Sequence, residues 1–341
     1  MIIHEKKINT LFLYWLILSL ILVFSIIIIG GLTRLTNSGL SITEWELFKG
    51  IFPPTNKTSW DKYFNLYKEI PQYKLLNQNM NLNDFKIIFY WEYFHRMIAR
   101  FIGLFFLVPL IYFYISKKIN KKYLNLCYLI FLLIILQGLV GWYMVKSGLV
   151  NDVTVSHYRL SIHLSLAFFI ISIIFWLIIN FKKKKLKSFF IFSKKNLPFL
   201  ILIFIIFCQI ILGAFVSGLD AGKIYQTWPM MNYTYFPNDV IVKNINSFFD
   251  FNNHSLVQFY HRNLAYLITI YIFGLCFFVF KKKYLKLYKP LIVVIFFLIL
   301  QIFLGIFTLL SGLNIYLASA HQICSLGLIF STINLYYFHI K

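Results

Sequence analysis

Eight apolar runs follow one another along the chain, and polar stretches separate them. Each run is long enough to cross a hydrocarbon core of about 30 Å as a helix that rises about 1.5 Å per residue. Helices are expected because every backbone polar group inside lipid must be bonded within its own segment. The predicted spans are residues 11–32, 91–115, 123–145, 159–180, 197–217, 258–280, 290–311 and 316–338.

The composition indicates the same class of protein. Hydrophobic residues make up 60% of the 341 residues, charged residues make up 13%, and the mean hydropathy is +0.74. This is more apolar surface than one soluble core needs, so we expect an all-α, multi-pass membrane protein. The first apolar run is too long for a cleavable signal and lacks a small-residue cleavage site. We therefore expect a location in the bacterial inner membrane.

The distribution of the net charge of +22 predicts the membrane topology. Most of the 33 Lys and Arg residues, with one of the 11 acidic residues, fall in segments on one side of the predicted spans. The positive-inside rule places these segments and both termini in the cytoplasm. Their expected contact is anionic membrane lipid, and no nucleic-acid partner is expected. The basic segments are residues 1–10, 116–123, 181–197, 280–290 and 339–341.

Polar landmarks recur at identical spacing in the two halves of the chain. The matched sets are Gly30, Gly39 and Trp45 with Gly213, Gly222 and Trp228, and Gln137, Gly141 and Ser147 with Gln301, Gly305 and Ser311. Each half contains four predicted spans, an even number, so both halves start on the same side of the membrane. We predict two pseudo-symmetric four-helix bundles, formed by residues 1–180 and 181–341.

Four histidines lie at matching places near the outer ends of the even-numbered spans: His95, His163, His261 and His321. An imidazole is costly within a bilayer unless it is ligated or hydrogen-bonded. Each bundle contributes two histidines from parallel helices at a similar height, which is the arrangement that holds one haem iron from opposite faces. A structural zinc site would need about four ligands around one point.

Arginines near the same level could bind the carboxylate groups of a haem. Arg96 and Arg262 directly follow two of the histidines, and Arg34 and Arg159 lie at neighbouring helix ends. Guanidinium groups suit carboxylates at an interface. The alternative is that these side chains reach lipid headgroups.

The two halves differ beside the first histidine of each pair. Glu92 precedes His95 by three residues, whereas the equivalent position before His261 holds the neutral Gln258. Residues at this spacing share a helix face, so Glu92 and His95 can face one pocket. Glu92 could instead pair with Arg96 or Arg34. We expect the first bundle to be the reaction site and the second to hold a resident haem.

Several motifs together resemble haem A synthase, in its mitochondrial and alphaproteobacterial branch. The resemblance covers nearly the whole chain, from about residue 11 to residue 338. The motifs are residues 30–36, residues 38–45, Glu92 with His95-Arg96, residues 137–149, residues 158–160 before His163, His261-Arg262 and His321-Gln322.

The resemblance implies a function and a role for each site residue. It implies that the C8 methyl group of haem O is oxidised to a formyl group by successive hydroxylations, giving haem A for cytochrome oxidase. His261 and His321 would be the axial ligands of a haem b cofactor. His95 and His163 would face the iron of the substrate haem, and Glu92 would be the essential carboxylate.

Two other classes of protein remain open. A di-haem membrane cytochrome that only transfers electrons would satisfy the four histidines, and parallel repeats also occur in transporters. Haem O and membrane lipid are the expected partners, with haem O synthase and cytochrome oxidase assembly factors as further candidates. A homo-oligomer stays open. The contexts of His157 and His254 do not match the ligand motifs, so we expect both to be surface residues.

Overall fold

The computed structural model describes residues 2–44, 49–151 and 153–340, so Trp45 lies outside the described residues. Within them the chain is helical, with short 3₁₀ turns and one isolated β-bridge. The α-helices are α1 Ile2–Leu35, α2 Lys57–Glu69, α3 Pro71–Leu76, α4 Leu82–Ser116, α5 Lys121–Asn151, α6 His157–Lys182, α7 Leu197–Gly218, α8 His254–Lys281, α9 Leu285–Leu310 and α10 Ile315–His339.

Eight of the described helices are long and apolar enough to cross a membrane, which confirms the predicted all-α, multi-pass fold. All except α2 and α3 belong to this set. The membrane orientation of the termini and the symmetry of the two halves stay predictions. The chain divides into two compact units, Met1–Ile178 and Ile179–Lys341, called here unit 1 and unit 2.

Helices α1 and α4 both begin nine residues before their predicted spans, and the early start of α4 has a local cause. This helix begins at Leu82, nine residues before the predicted span, because a capping box formed by Asn81 and Asp84 starts it there. A capping box bonds backbone N–H groups that the first helical turn leaves without partners. The added turns carry Phe85, Ile88 and Phe89 into an outer hydrophobic cluster with α2.

Helix α2 was not predicted. It supplies the aromatic side chains that pack against α4 in this hydrophobic cluster. Its side chains Trp60, Phe64 and Tyr67 are buried and recur at the spacing of one helix face. Trp60 packs edge-on against Phe89 with ring centroids 5.0 Å apart. The cluster covers the outer end of α4 and brings the chain before it, including Leu40 and Ile42, into the same core.

Within the membrane-spanning part of unit 1, α1 packs against α4 through aromatic side chains. Trp15 lies 4.7 Å from Phe106 between ring centroids, and its indole N–H donates to the Phe105 carbonyl at 3.2 Å. Phe12 meets Phe113 edge-on at 5.0 Å. Tryptophan needs such an acceptor when it is buried, so this contact fixes the pairing of the two helices.

Unit 2 has its closest helix contact between α9 and α10. A Cβ atom at Gly327 of α10 would lie 2.2 Å from the ring of Phe297 on α9, so only glycine fits there. The missing side chain allows the two helix backbones to approach each other, as small residues commonly do in membrane bundles.

Candidate functional site

The structure brings the four predicted histidines together as two pairs, one in each unit. His95 on α4 faces His163 on α6 with ring centroids 6.5 Å apart, and His261 on α8 faces His321 on α10 at the same separation. A metal-bound imidazole nitrogen lies about 2 Å from the ion and its ring centre about 1 Å farther back, so two opposed rings have centres about 6 Å apart. Both pairs therefore have a spacing that suits one shared ion.

A glycine on the neighbouring helix packs against the ring of each histidine. A Cβ atom added at any of these glycines would come within about 3 Å of the Cε1 atom of the ring. The pairs are Gly30 with His95 at 3.0 Å, Gly141 with His163 at 2.9 Å, Gly213 with His261 at 3.2 Å and Gly305 with His321 at 3.0 Å. Real Cβ atoms rarely approach so closely, so these glycines let each ring lie against a helix backbone.

Three of the four rings also contact a glutamine. The pairs are Gln137 with His163, Gln209 with His261 and Gln301 with His321. The amide nitrogen lies 3.1–3.4 Å from one or both ring nitrogens. In the first two pairs it also donates to the backbone carbonyl of the histidine at 3.0 Å. Gln137 and Gln301 were recognised only as landmarks of the repeat, and Gln209 was missed.

Glu92 lies in a network that holds the preceding loop against α4. Its side chain is 3% exposed and accepts hydrogen bonds from the Ser41 hydroxyl at 2.7 Å and the Ile42 N–H at 2.9 Å. The other carboxylate oxygen accepts from Arg96 at 2.5 and 3.1 Å. Arg96 also donates to the Ile42 carbonyl at 3.0 Å. The pairing with Arg96, one of the two partners considered from the sequence, is therefore present.

Unit 2 builds an equivalent anchor without a carboxylate. Gln258 is also 3% exposed, and its amide donates to the Tyr225 carbonyl at 2.9 Å. Arg262 donates to the same carbonyl at 2.9 Å and to the Met230 carbonyl at 3.4 Å. A neutral donor is thus enough to hold the loop of unit 2, which presents a carbonyl. The loop of unit 1 presents the Ile42 N–H instead, so it needs an acceptor, which Glu92 supplies together with a negative charge.

Tyr225 is itself held in place by Asp239. The Tyr225 hydroxyl donates to this carboxylate at 2.5 Å, and Ser255 at the start of α8 donates to it at 2.6 Å. Burial alone would raise the pKa of Asp239, but the hydrogen bonds from Ser255 and Tyr225 outweigh it and hold the pKa below its usual range. Asp239 therefore stays ionised near neutral pH and fixes the loop that carries the Tyr225 carbonyl.

The remaining predicted arginines lie beside other groups. Arg34 donates to the Asn37 side chain at 2.9 Å, just after the end of α1. Arg159 lies over the Tyr143 ring, 5.2 Å from its centroid, as a cation–π contact. The contact of Arg159 uses the face of its guanidinium, so its N–H groups could bind an anion.

The two histidines outside the motifs differ from each other. His254 is exposed, as expected. The expectation for His157 was wrong, because this side chain is only 8% exposed at the first residue of α6. Its ring packs on the neighbouring Tyr158, with centroids 4.1 Å apart.

Comparisons with known proteins show the family of the chain. The family model described as "Cytochrome oxidase assembly protein" (COX15-CtaA) matches residues 13–333. A protein of Pelagibacter ubique named "Heme A synthase" is 52% identical over 92% of this chain and 91% of its own length. Proteins with the same name from Flavobacterium psychrophilum and Rickettsia africae are each 39% identical over 96% of this chain and 97% of their own. Since these matches span nearly the whole chain, it belongs to the haem A synthase family.

Proposed function

We propose that this protein converts haem O to haem A by oxidising the C8 methyl group to a formyl group. In this proposal unit 1 binds the substrate haem and unit 2 holds a resident haem b. The supporting observation is that both units present two imidazoles 6.5 Å apart, while among the described residues a buried carboxylate one helical turn from a histidine of the pair occurs in unit 1 alone. We also propose that the protein lies in the bacterial inner membrane with both termini in the cytoplasm, on the evidence of the basic segments.

The residues of unit 2 fit a haem b cofactor. His261 and His321 would hold the iron from opposite faces, and Arg262 would neutralise a propionate, since its described partners are neutral backbone carbonyls. A cluster of three or more His, Cys, Asp or Glu side chains does not occur among the described residues, so the donor set suits an iron that already has porphyrin nitrogens. When bound, haem b supplies reversible one-electron transfer and could pass on the four electrons that the conversion of methyl to formyl releases.

In unit 1 the chain would hold and polarise the substrate. His95 and His163 would bind its iron, and the glycines behind them would fix the position of the rings. Glu92 lies one helical turn before His95 and is held by four hydrogen-bond donors, so its charge is fixed in place before the reaction. A fixed carboxylate stabilises positive charge that develops on a carbon during oxidation more than mobile water does.

The test is pigment analysis combined with an assay of the purified full-length protein. We expect extraction and chromatography to show haem b, and incubation with haem O and an electron acceptor to yield the hydroxylated product and haem A. Retained haem b with no oxidised haem O under any acceptor condition would favour the di-haem cytochrome. A purified protein without any haem would contradict both functions.

A further inference from the structure

On three of the four odd-numbered spans, a glutamine precedes the glycine that packs on a histidine by four residues, and α1 is the exception. Gln137, Gln209 and Gln301 each lie four residues before a glycine that packs on a histidine, so amide and glycine share one helix face. On α1 the glycine is Gly30, and the residue four positions earlier is Ile26. Among the four paired histidines, His95 is therefore the one whose ring packs on a glycine but contacts no glutamine in the described part of the chain.

The missing glutamine matters for a histidine that binds a metal. Such a histidine bonds the ion through one ring nitrogen and carries a proton on the other, which needs an acceptor. The amide oxygens of Gln137, Gln209 and Gln301 are buried and have no hydrogen-bond partner among the described residues. A half-turn of each amide exchanges this oxygen with the nitrogen that lies against the ring, at the cost of the bond to the histidine carbonyl in the first two pairs. The Nδ1 atoms of His95 and His321 are likewise buried without a partner in the described part of the chain, but His321 has the Gln301 amide against its other ring nitrogen. The isoleucine at the corresponding position of α1 offers no acceptor.

We propose that Gln137, Gln209 and Gln301 are positioning residues that anchor three axial imidazoles. We further propose that Ile26 makes His95 the weakly held ligand of the substrate iron, the one that dissociates while His163 stays bound. This inference rests on the proposed function, because it concerns ligands of the two haems. Hydrogen bonds to the second ring nitrogen fix the ring and raise its basicity, and their loss typically costs about 10- to 100-fold in metal affinity.

The distribution of the glutamines matches the different needs of the two units. Both histidines of unit 2 have a glutamine, as suits a haem that stays bound. In unit 1 only His163 has one, and a substrate haem must bind, react and leave. One firm and one labile ligand would hold the iron in register while keeping one coordination position exchangeable.

The first experiment measures the midpoint potential of the resident haem in Gln209→Met and Gln209→Glu. Methionine keeps the length of the side chain without an acceptor, so His261 becomes a weaker electron donor and the potential rises. Glutamate is a stronger acceptor and lowers it. Thr332→Val is the control, because that hydroxyl bonds only to the Leu328 carbonyl of its own helix among the contacts described. The positioning role would be overturned if both Gln209 variants had the same potential as the control, or if both shifted the potential in the same direction.

The second experiment adds the missing amide. Protein loaded with haem O is titrated with cyanide, which competes with a dissociating axial histidine. We expect Ile26→Gln to weaken cyanide binding about tenfold. The matched control, Leu22→Gln, places the same amide on α1 one turn farther from Gly30 and should bind cyanide like the unchanged protein. Unchanged cyanide binding by Ile26→Gln would overturn the assignment of His95 as the labile ligand.

These outcomes are distinguishable from failure of the proposed function. If the unchanged protein contains no haem b and binds no haem O, the proposed function fails. If it contains haem b and produces haem A, but these substitutions change neither the midpoint potential nor the cyanide affinity, only the inference about Ile26 and the glutamines fails.

Discussion

At the scale of single residues, the chain provides an internal comparison between Glu92 and Gln258. Both side chains are almost fully buried, and both tie an outer loop to the helix that carries a histidine. They differ by one charge. A carboxylate near the edge of the hydrocarbon is costly unless it pairs or takes part in function. Gln258 anchors its loop by donating to a carbonyl, whereas the loop of unit 1 presents an N–H. One neutral acceptor oxygen would satisfy that N–H, so the bond to the loop does not explain why unit 1 carries a charge.

We therefore predict that Glu92→Gln leaves the fold and the resident haem spectrum intact but lowers haem A formation by about 100-fold or more. The amide oxygen can still accept from the Ile42 N–H, but the side chain lacks the fixed negative charge. Losing one preorganised electrostatic group commonly costs about 10²- to 10³-fold in turnover. The rate is measured from haem O consumption, with pigment content recorded for each preparation.

Ser41→Ala separates anchoring from charge. It removes the hydroxyl donor to Glu92 and keeps the carboxylate, the Ile42 N–H and Arg96 in place. We expect turnover to fall by much less than in Glu92→Gln. If Glu92→Gln made haem A at the normal rate, the catalytic assignment would be wrong. If Ser41→Ala were equally inactive, loop anchoring would account for the effect.

At the scale of helices, the sequence predicted the eight membrane spans but not helix α2 or the early start of α4. The eight spans could be recognised because bilayer thickness fixes their length and their composition is nearly uniform. Helix α2 has an ordinary polar composition, and only Trp60, Phe64 and Tyr67 mark its inner face. That spacing was a usable signal. The early start of α4 depends on Asn81 and Asp84, whose capping role becomes evident only when the outer cluster is considered.

The histidine pairs could be predicted for a different reason. Four imidazoles at matching places in apolar helices have few explanations, so residue type and repeat together carried the inference. The glutamine beside His261 was harder to recognise, because a glutamine in a membrane helix also serves general packing between helices. The repeat had marked Gly30 and Gly213 at equivalent places, but their closeness to the imidazole rings depends on which helices become neighbours.

Close approach of helices α5 and α6 gives a prediction at this scale. A methyl group added in Gly141→Ala would lie 2.9 Å from the Cε1 atom of His163, so the ring must move by a few tenths of an ångström. We expect the affinity for haem O to fall about tenfold. An optical titration of the purified protein measures it.

Gly138→Ala is the matched control on the same helix. A Cβ atom there meets nothing within 4 Å, so haem O affinity should stay unchanged. Equal losses in both variants would mean that α5 merely tolerates alanine poorly. Normal affinity in Gly141→Ala would show that the glycine does not set the position of His163.

At the scale of the whole molecule, two units carry the same imidazole pair with different surroundings. Each pair is formed within its own unit, by α4 with α6 in unit 1 and by α8 with α10 in unit 2. The side chains around each pair then decide which of the two haems it suits. Unit 1 has a fixed carboxylate and lacks one glutamine, whereas unit 2 has the neutral Gln258 at the matching place and both glutamines. This contrast supports a division between a reacting haem and a resident one.

That division predicts that ligand substitutions act on separate haems. In His261→Ala the resident haem loses one of two axial ligands, so we expect purified protein without the low-spin haem b spectrum and without turnover. In His95→Ala the resident pair is untouched, so haem b and its spectrum should remain while haem A formation stops. His254→Ala is the control, since that exposed histidine also lies on α8. Loss of haem b from His95→Ala, or its retention in His261→Ala, would contradict the assignment, because the resident haem would then depend on the wrong pair.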